Sequence, residues 1–254
     1  MPSGTTGESP TLTHDEHKRV VEVCVEAAAG RVPVMAGTGS NSTAEAIEFT
    51  EHAAEAGADM ALVVSPYYNK PNAEGMFQHF KAVHDCAEIP LVIYNIPGRS
   101  VIDMDDELMA RLSELPRVIG IKDATGDLSR VSTLRARIGD RLALLSGEDM
   151  TAVGFNAMGG QGCISVTANV APSLCADVQN FSLNGDYNKA LAAHEMLVTL
   201  HNAMFSETNP IPVKAAVAMA GRCSNEIRLP LVEATKTTQD TLRSEMNGLS
   251  LLES

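Results

Sequence analysis

Six short apolar runs constrain the fold of this 254-residue chain more than any other feature of it. They are Val32–Ala36, Met60–Ser65, Pro90–Asn95, Val118–Lys122, Leu142–Ser146 and Gly162–Val166. Each is rich in Val, Ile and Leu and apolar almost throughout, as in strands of a parallel sheet covered on both faces. Between them lie amphipathic stretches with helix starts. Thr13-His-Asp-Glu16 and Ser42-Thr-Ala-Glu45 both have capping-box spacing, in which hydroxyl and carboxylate each satisfy a free amide. Six βα units at intervals of roughly 25–30 residues predict a (β/α)8 barrel. A doubly wound sheet is the alternative, but it usually carries a Gly-rich nucleotide loop, and Gly37-Thr-Gly39-Ser40 lacks the third glycine. From Pro172 the alternation gives way to helix, with breaks near Asn184-Gly-Asp186, Thr208-Asn-Pro-Ile-Pro212 and Leu229-Pro230. The expected domains are a barrel over residues 1–171 and a last barrel helix with a helical region over 172–254.

Charge and cysteine usage exclude several classes. A net charge of −13 repels nucleic acid and anionic membrane, so neither is an expected partner. No apolar run approaches the ~18 residues of a membrane span, and no secretory signal opens the chain. The five cysteines (Cys24, Cys86, Cys163, Cys175 and Cys223) are odd in number and scattered, with no C-x-x-C. That argues against a disulfide framework or zinc site and fits a reducing cytoplasm.

Strand periodicity then singles out two side chains. In Val118-Ile-Gly-Ile-Lys122-Asp123, alternate residues share a face. With Ile119 and Ile121 turned to the outer helices, Lys122 points inward at the C-terminal mouth, where barrel enzymes hold their catalytic groups. Desolvation there lowers an amine's pKa and makes it a nucleophile toward a ketone. The same parity turns Tyr94 inward one strand earlier, where a phenol can relay protons. Arg99, in the loop that follows, offers a bidentate fork for a carboxylate. Gly4-Thr5-Thr6-Gly7 suits close approach to a small anion. Each has an ordinary structural alternative: a lysine reaching water, a core tyrosine, a surface arginine, a plain turn. Tyr67 and Tyr68, in Ser65-Pro-Tyr-Tyr-Asn-Lys-Pro71, read alone as a packing or interface pair.

Taken together and in order, these motifs resemble the dihydrodipicolinate synthase family. The resemblance is carried by Gly4-Thr-Thr-Gly-Glu-Ser9, Ala36-Gly-Thr-Gly-Ser-Asn41, the Ser65–Pro71 segment, Tyr94-Asn-Ile-Pro-Gly-Arg99, Gly120-Ile-Lys-Asp-Ala-Thr-Gly126, Leu145-Ser-Gly147 and Gly162-Cys-Ile-Ser-Val-Thr-Ala-Asn169. Asn209-Pro-Ile-Pro-Val-Lys214 and Arg228-Leu-Pro230 extend it through the C-terminal helices.

The resemblance implies condensation of pyruvate with L-aspartate 4-semialdehyde through an imine on Lys122, with no metal or organic cofactor. It implies that Tyr94, Thr5 and Tyr68 form a hydroxyl relay, with Tyr68 reaching across from a neighbouring subunit. It implies the pyruvate carboxylate at Thr5 and Thr6, the aldehyde's carboxylate at Arg99, and backbone groups of Gly147 and Ile164 near the pocket. It also implies an L-lysine inhibitor site at Ser9, His14, His17, Asn41, Glu45 and Tyr67, although Pro10 stands where alanine is frequent. A cytoplasmic homo-oligomer follows, either a tetramer of tight dimers or an altered dimer. His14-x-x-His17 by itself reads as a solvated helix start, and Glu45 fits the capping box alone. Against the family pattern, the chain is expected to lack the barrel's first strand, first helix and most of its second strand, with Met1–Ser3 as that strand's tail and Thr5 and Thr6 on a fraying end. A sister pyruvate-dependent aldolase, such as N-acetylneuraminate lyase or a 2-keto-3-deoxy sugar-acid aldolase, and a catalytically impaired homologue are the competing readings.

Overall fold

The computed structural model describes residues 1–252. It divides into two compact units, one of residues 1–147 with 158–160, the other of residues 148–157 with 161 onward.

The first unit is built on five parallel strands: β1 (Met35–Gly37), β2 (Met60–Val64), β3 (Leu91–Asn95), β4 (Val118–Asp123) and β5 (Ala143–Ser146). They pair strictly in chain order. A doubly wound sheet reverses its order at a switch point, so the sequential order excludes that alternative. The helices are α1 (His14–Ala28), α2 (Thr43–Glu55), α3 (Ala73–Cys86), the short α4 (Pro97–Ser100), α5 (Asp106–Leu112) and α6 (Ser129–Ile138). Local chemistry sets their starts. Thr13 and Glu16 form the expected reciprocal box at α1, Asn72 accepts from Gly75 N at α3, and Asp105 accepts from Leu108 N at α5. The second expected box is absent: Ser42 caps α2 without a side-chain bond, its N–H donates to Ser40 Oγ, and the Glu45 carboxylate is engaged by His14 and Ser40.

Register fixes which side chains share a level. Leu62, Val92 and Gly120 align, as do Val64, Tyr94, Lys122 and Leu145. Leu62, Val92 and Tyr94 form one buried cluster, with Met60, Val64 and Ile96 packed against it. A Cβ on Gly120 would meet Val92 Cγ2 at 3.7 Å and the Ala143 carbonyl at 2.9 Å, so that face has no room for a side chain there. On the other face Ile93 and Ile121 are buried, whereas Ile119, at the start of β4, is 39% exposed.

Three expectations are corrected. Gly162–Val166 is not a strand beyond a single bridging residue at Cys163. Asp149 takes its backbone amides instead, accepting from Val166 N (2.9 Å) and Thr167 N (3.2 Å), and the chain turns into a 3-10 segment at Thr167–Asn169. The run at Val32–Ala36 starts late, because Asp59 accepts from Val34 N and leaves Val32 62% exposed. Met1–Ser3 is not a strand either, yet it does not fray. Gly37 N donates to the Pro2 carbonyl at 3.0 Å and Ser3 is 4% exposed.

The second unit is helical: α7 (Ala152–Ala157), α8 (Pro172–Leu183), α9 (Tyr187–Glu195), α10 (Val198–Ala203), α11 (Ile211–Met219) and α12 (Lys236–Gly248). The three expected breaks occur, and a fourth falls between α9 and α10. Leu197, Leu200, Met204, Val213, Ala216 and Leu242 lie in one buried core. Among the described residues no helix is long and apolar enough to cross a membrane.

His79, on α3, is 4% exposed; Thr43 Oγ1 meets its Nδ1 at 2.9 Å and its Nε2 has no partner. Burial pushes its pKa down from 6.5 to about 4. Burial also lowers His17, His194 and His201. Below pH 6.5 the unfolded chain takes up protons that the folded chain refuses, so stability falls as the pH drops from 6.5 toward 4. His79 alone accounts for up to about 3 kcal/mol of that loss. Urea melts of the wild type and His79→Asn at pH 7 and pH 5 check it: the variant loses less stability between the two.

Candidate active site

Lys122 lies one residue before the end of β4 and is 8% exposed. Its register partner on β3 is Tyr94, which is 6% exposed. The Lys122 Nζ sits over the Tyr94 ring, 4.1 Å from its centroid. The inward parity read from the sequence thus brings both groups to one level of one face. A ring face offsets part of the cost of a desolvated amine by its quadrupole. Space here is tight. Gly147 N donates to the Asp123 carbonyl at 2.6 Å, and a Cβ on Gly147 would lie 2.7 Å from Ala124 Cβ and 3.1 Å from Lys122 Cε. Glycine at 147 therefore leaves the lysine its room.

The Gly4–Gly7 loop closes on itself, with Gly7 N donating to Gly4 O at 3.0 Å and Glu8 N to Thr5 O at 3.1 Å. It is seated on β1 by close backbone approach: a Cβ on Gly37 would fall 2.1 Å from the Ser3 carbonyl oxygen. Thr5 and Thr6 are half-buried on this loop. Thr5 and Arg99 line one cavity of about 470 Å³. Arg99 projects from α4, whose turn is braced by Ser100 Oγ, 2.9 Å from the Ile96 carbonyl and 3.0 Å from the Ile102 carbonyl, which share its one hydrogen. Val64 and Ile96 line this cavity and also pack on the Tyr94 cluster, so cavity and lysine share a wall.

The candidate regulatory residues gather at the same cavity. Ser9, His14, His17, Glu45 and Tyr67 all line it. His14 Nε2 meets Glu45 Oε1 at 2.7 Å. His17 donates from Nε2 to the Gly37 carbonyl at 2.9 Å, and burial holds its pKa low, so the ring is neutral near neutrality. Phe49 joins them, stacked on His17 (4.0 Å) and edge-on to His14 (4.9 Å). Sequence reading missed Phe49. The available signal was its i,i+4 spacing from Glu45 on α2. Asn41 is not among the residues that line the cavity; its carbonyl accepts from Asn69 at 2.9 Å. Tyr68 stands apart, 87% exposed, with φ +72°, a conformation costly for a bulky residue outside glycine's range. Ile164 belongs to the second unit and is half-buried there.

A buried amine at the C-terminal end of a parallel strand, facing a phenol ring and beside a cavity with an arginine and hydroxyls, defines a class: α/β enzymes equipped for imine chemistry on small carboxylates. Comparison with known proteins then places the chain. Residues 1–248 match the model of the dihydrodipicolinate synthetase family, and the chain belongs to that family. The 4-hydroxy-tetrahydrodipicolinate synthase of Parvibaculum lavamentivorans is 57% identical over 252 residues, 99% of this chain and 87% of the relative. Crystal structures of dihydrodipicolinate synthase superpose closely. The one from Aquifex aeolicus has a TM-score of 0.97 at 44% identity, covering 100% of this chain and 87% of that one. That from Acinetobacter baumannii, complexed with pyruvate, has a TM-score of 0.96 at 42% identity, covering 98% and 86%. That from Cyanidioschyzon merolae, with lysine bound, has a TM-score of 0.95 at 37% identity, covering 99% and 86%. The expected lyase of lysine and diaminopimelate biosynthesis stands, and the sister-aldolase and impaired-homologue readings are not favoured. The expectation of a barrel lacking its first strand, first helix and most of its second is not established by these alignments, which run along 99% of this chain and 87% of the Parvibaculum relative. The architecture established is α/β with a parallel sheet, in a family of TIM-type barrels.

Gly147→Ala should push on Lys122 and Ala124, costing about 1–3 kcal/mol of overpacking. A fall in melting temperature is the expected result. An unchanged melting temperature would show that the space beside Lys122 is not restricted.

Proposed function

We propose that this chain condenses pyruvate with L-aspartate 4-semialdehyde to 4-hydroxy-tetrahydrodipicolinate through an imine on Lys122. The observation that carries this reading is the buried Lys122 amine set against the Tyr94 ring in a member of this family. The amine adds to the pyruvate ketone carbon and water leaves, giving an iminium that withdraws electrons from the neighbouring methyl group. The methyl group loses a proton and becomes an enamine carbon, which attacks the aldehyde carbon and forms the new C–C bond. The amine of the second substrate then adds to the imine carbon and expels Lys122, closing the ring and freeing the enzyme. Every atom comes from the substrates and the lysine, so the cycle needs no cofactor.

Within this reading Tyr94 relays protons to and from the imine nitrogen and the new alkoxide. Thr5 links it to Tyr68, which reaches across from a second copy in a homo-oligomer. The outward, strained pose of Tyr68 supports that role, since a partner must hold it. Thr5 and Thr6 take the pyruvate carboxylate, and Arg99 takes that of the aldehyde in a bidentate grip. Gly147 and Ile164 supply backbone groups beside the pocket. Free L-lysine is the inhibitor at Ser9, His14, His17, Asn41, Glu45 and Tyr67, where Glu45 and the neutral His17 suit an ammonium group. The enzyme works in the cytoplasm.

The test is intact-mass spectrometry after pyruvate and borohydride, which should show one adduct, mapping to Lys122 and absent from Lys122→Ala. An adduct on Lys70 or Lys214 would overturn the assignment. For the second substrate, Arg99→Ala should leave pyruvate trapping in place and weaken use of the aldehyde. Loss of a charge-assisted hydrogen bond is worth about 1.5–3 kcal/mol, on the order of tenfold to a hundredfold in kcat/KM. Efficient cleavage of N-acetylneuraminate by the wild type would point to the sister lyase instead. L-Lysine should raise the melting temperature, and Glu45→Ala should abolish that rise; an identical rise in both would move the inhibitor elsewhere.

A further inference from the structure

The residues that follow Tyr94 and Lys122 along their strands are both polar and both buried. Asn95 is fully buried and Asp123 is 8% exposed, and the two are paired in the β3–β4 register. Strand alternation turns them to the face opposite the lysine, where the structure spends an arginine on them. Arg130, from the first turn of α6, donates from Nη1 to Asp103 Oδ2 at 2.8 Å and from Nη2 to the Met104 carbonyl at 2.5 Å. Its Nε lies 3.3 Å from Asp123 Oδ2, at ion-pair distance. The other carboxylate oxygens complete the frame. Asp103 Oδ1 accepts from the Asn95 side-chain amide at 2.7 Å, and Asn95 Oδ1 accepts from Met104 N at 3.3 Å. Asp123 Oδ1 accepts from Thr125 N and Oγ1 at 2.8 and 2.6 Å.

We infer that Arg130 is a positioning residue for the reaction. One guanidinium ties the strand end that carries Lys122 to the strand end that carries Tyr94, by way of Asp123 on one side and Asp103 and Asn95 on the other. This rests on Lys122 being the imine-forming lysine. The two side chains do not touch Arg130; they inherit their angle from strand ends that it pins. The arginine side chain is only 17% exposed and that of Asp123 10%, so this end of the clamp is poorly screened, whereas Asp103 reaches solvent. The planar fork sends its two Nη atoms to Asp103 and the Met104 carbonyl while its Nε stays at ion-pair distance from Asp123 without a hydrogen bond, a spread that lysine's compact ammonium does not match. Removing it leaves two carboxylates without their shared cation and frees both strand ends to shift. Small misplacements of a nucleophile and its proton relay cost rate more than they cost binding.

The experiment measures the rate of pyruvate-dependent borohydride labelling of Lys122 per folded chain in the wild type, Arg130→Ala, Arg130→Lys and Asp103→Asn. Arg130→Ala is expected to label on the order of tenfold more slowly, with half-saturation by pyruvate within about twofold of wild type. Added ethylguanidinium should restore much of the rate in Arg130→Ala and none in Arg130→Lys, a response that simple loss of stability would not give. If Arg130→Ala does not fold, Asp103→Asn carries the test: Asp103 is exposed, and its variant should fold and still label severalfold more slowly. Wild-type labelling rates in the folded variants, or a loss that guanidinium does not relieve, overturn the inference while leaving the Lys122 assignment intact. A wild-type chain that takes no label overturns both.

Discussion

The structure depends on one constraint: a strand's side chains alternate, and parallel strands in fixed register stack the same parity at the same level. That rule puts Val64, Tyr94, Lys122 and Leu145 in one row. A slip of one residue on β4 would turn Lys122 to the opposite face and bring Asp123 in its place. The glycines around the row exist to permit it. Gly39 packs so close to β2 that a Cβ would fall 2.3 Å from Val64 N, and Gly120 and Gly147 leave no space for side chains beside Val92 and Lys122. Burying an amine among apolar residues is costly, and the Tyr94 ring at 4.1 Å is the local compensation. Stability is spent at this point to hold an amine away from water.

The same alternation separates chemistry from support. Residues of one parity, Tyr94 and Lys122, face each other across the β3–β4 pair. Those of the other parity, Asn95 and Asp123, enter a hydrogen-bonded frame with Asp103, Thr125 and Arg130. Beside the row, the cavity of about 470 Å³ is lined at one side by Thr5 and Arg99 and at the other by His14, His17 and Glu45. Arg99 and the two histidines thus open onto one continuous space.

Much of this was legible in the sequence because it is local. Five of six apolar runs became strands, since short Val- and Ile-rich segments bounded by turns leave few alternatives, and the inward parity of Lys122 and Tyr94 needs only a period of two. The helical C-terminal region announced itself through its breaks. What stayed hidden depends on residues far apart in the chain. Gly162–Val166 reads as a strand until Asp149 captures its amides. Ser42 and Glu45 have capping-box spacing, but His14 lies 31 residues away and claims the carboxylate. Met1–Ser3 looks like a loose end, yet the Gly37 backbone holds it. Arg130 shows nothing in sequence to distinguish it from a helix-surface arginine. In each case a polar group found a stronger partner than its neighbours in sequence could offer.

The central claim is that the Lys122 amine bonds covalently to a ketone carbon while the Tyr94 hydroxyl attends it. A crystal structure of the chain soaked with pyruvate tests this most directly. The account predicts continuous density from Lys122 Nζ to the pyruvate C2 atom, with the Tyr94 oxygen within hydrogen-bond reach and the carboxylate at Thr5 and Thr6. Pyruvate bound without a covalent link, or linked to a different lysine, would contradict it.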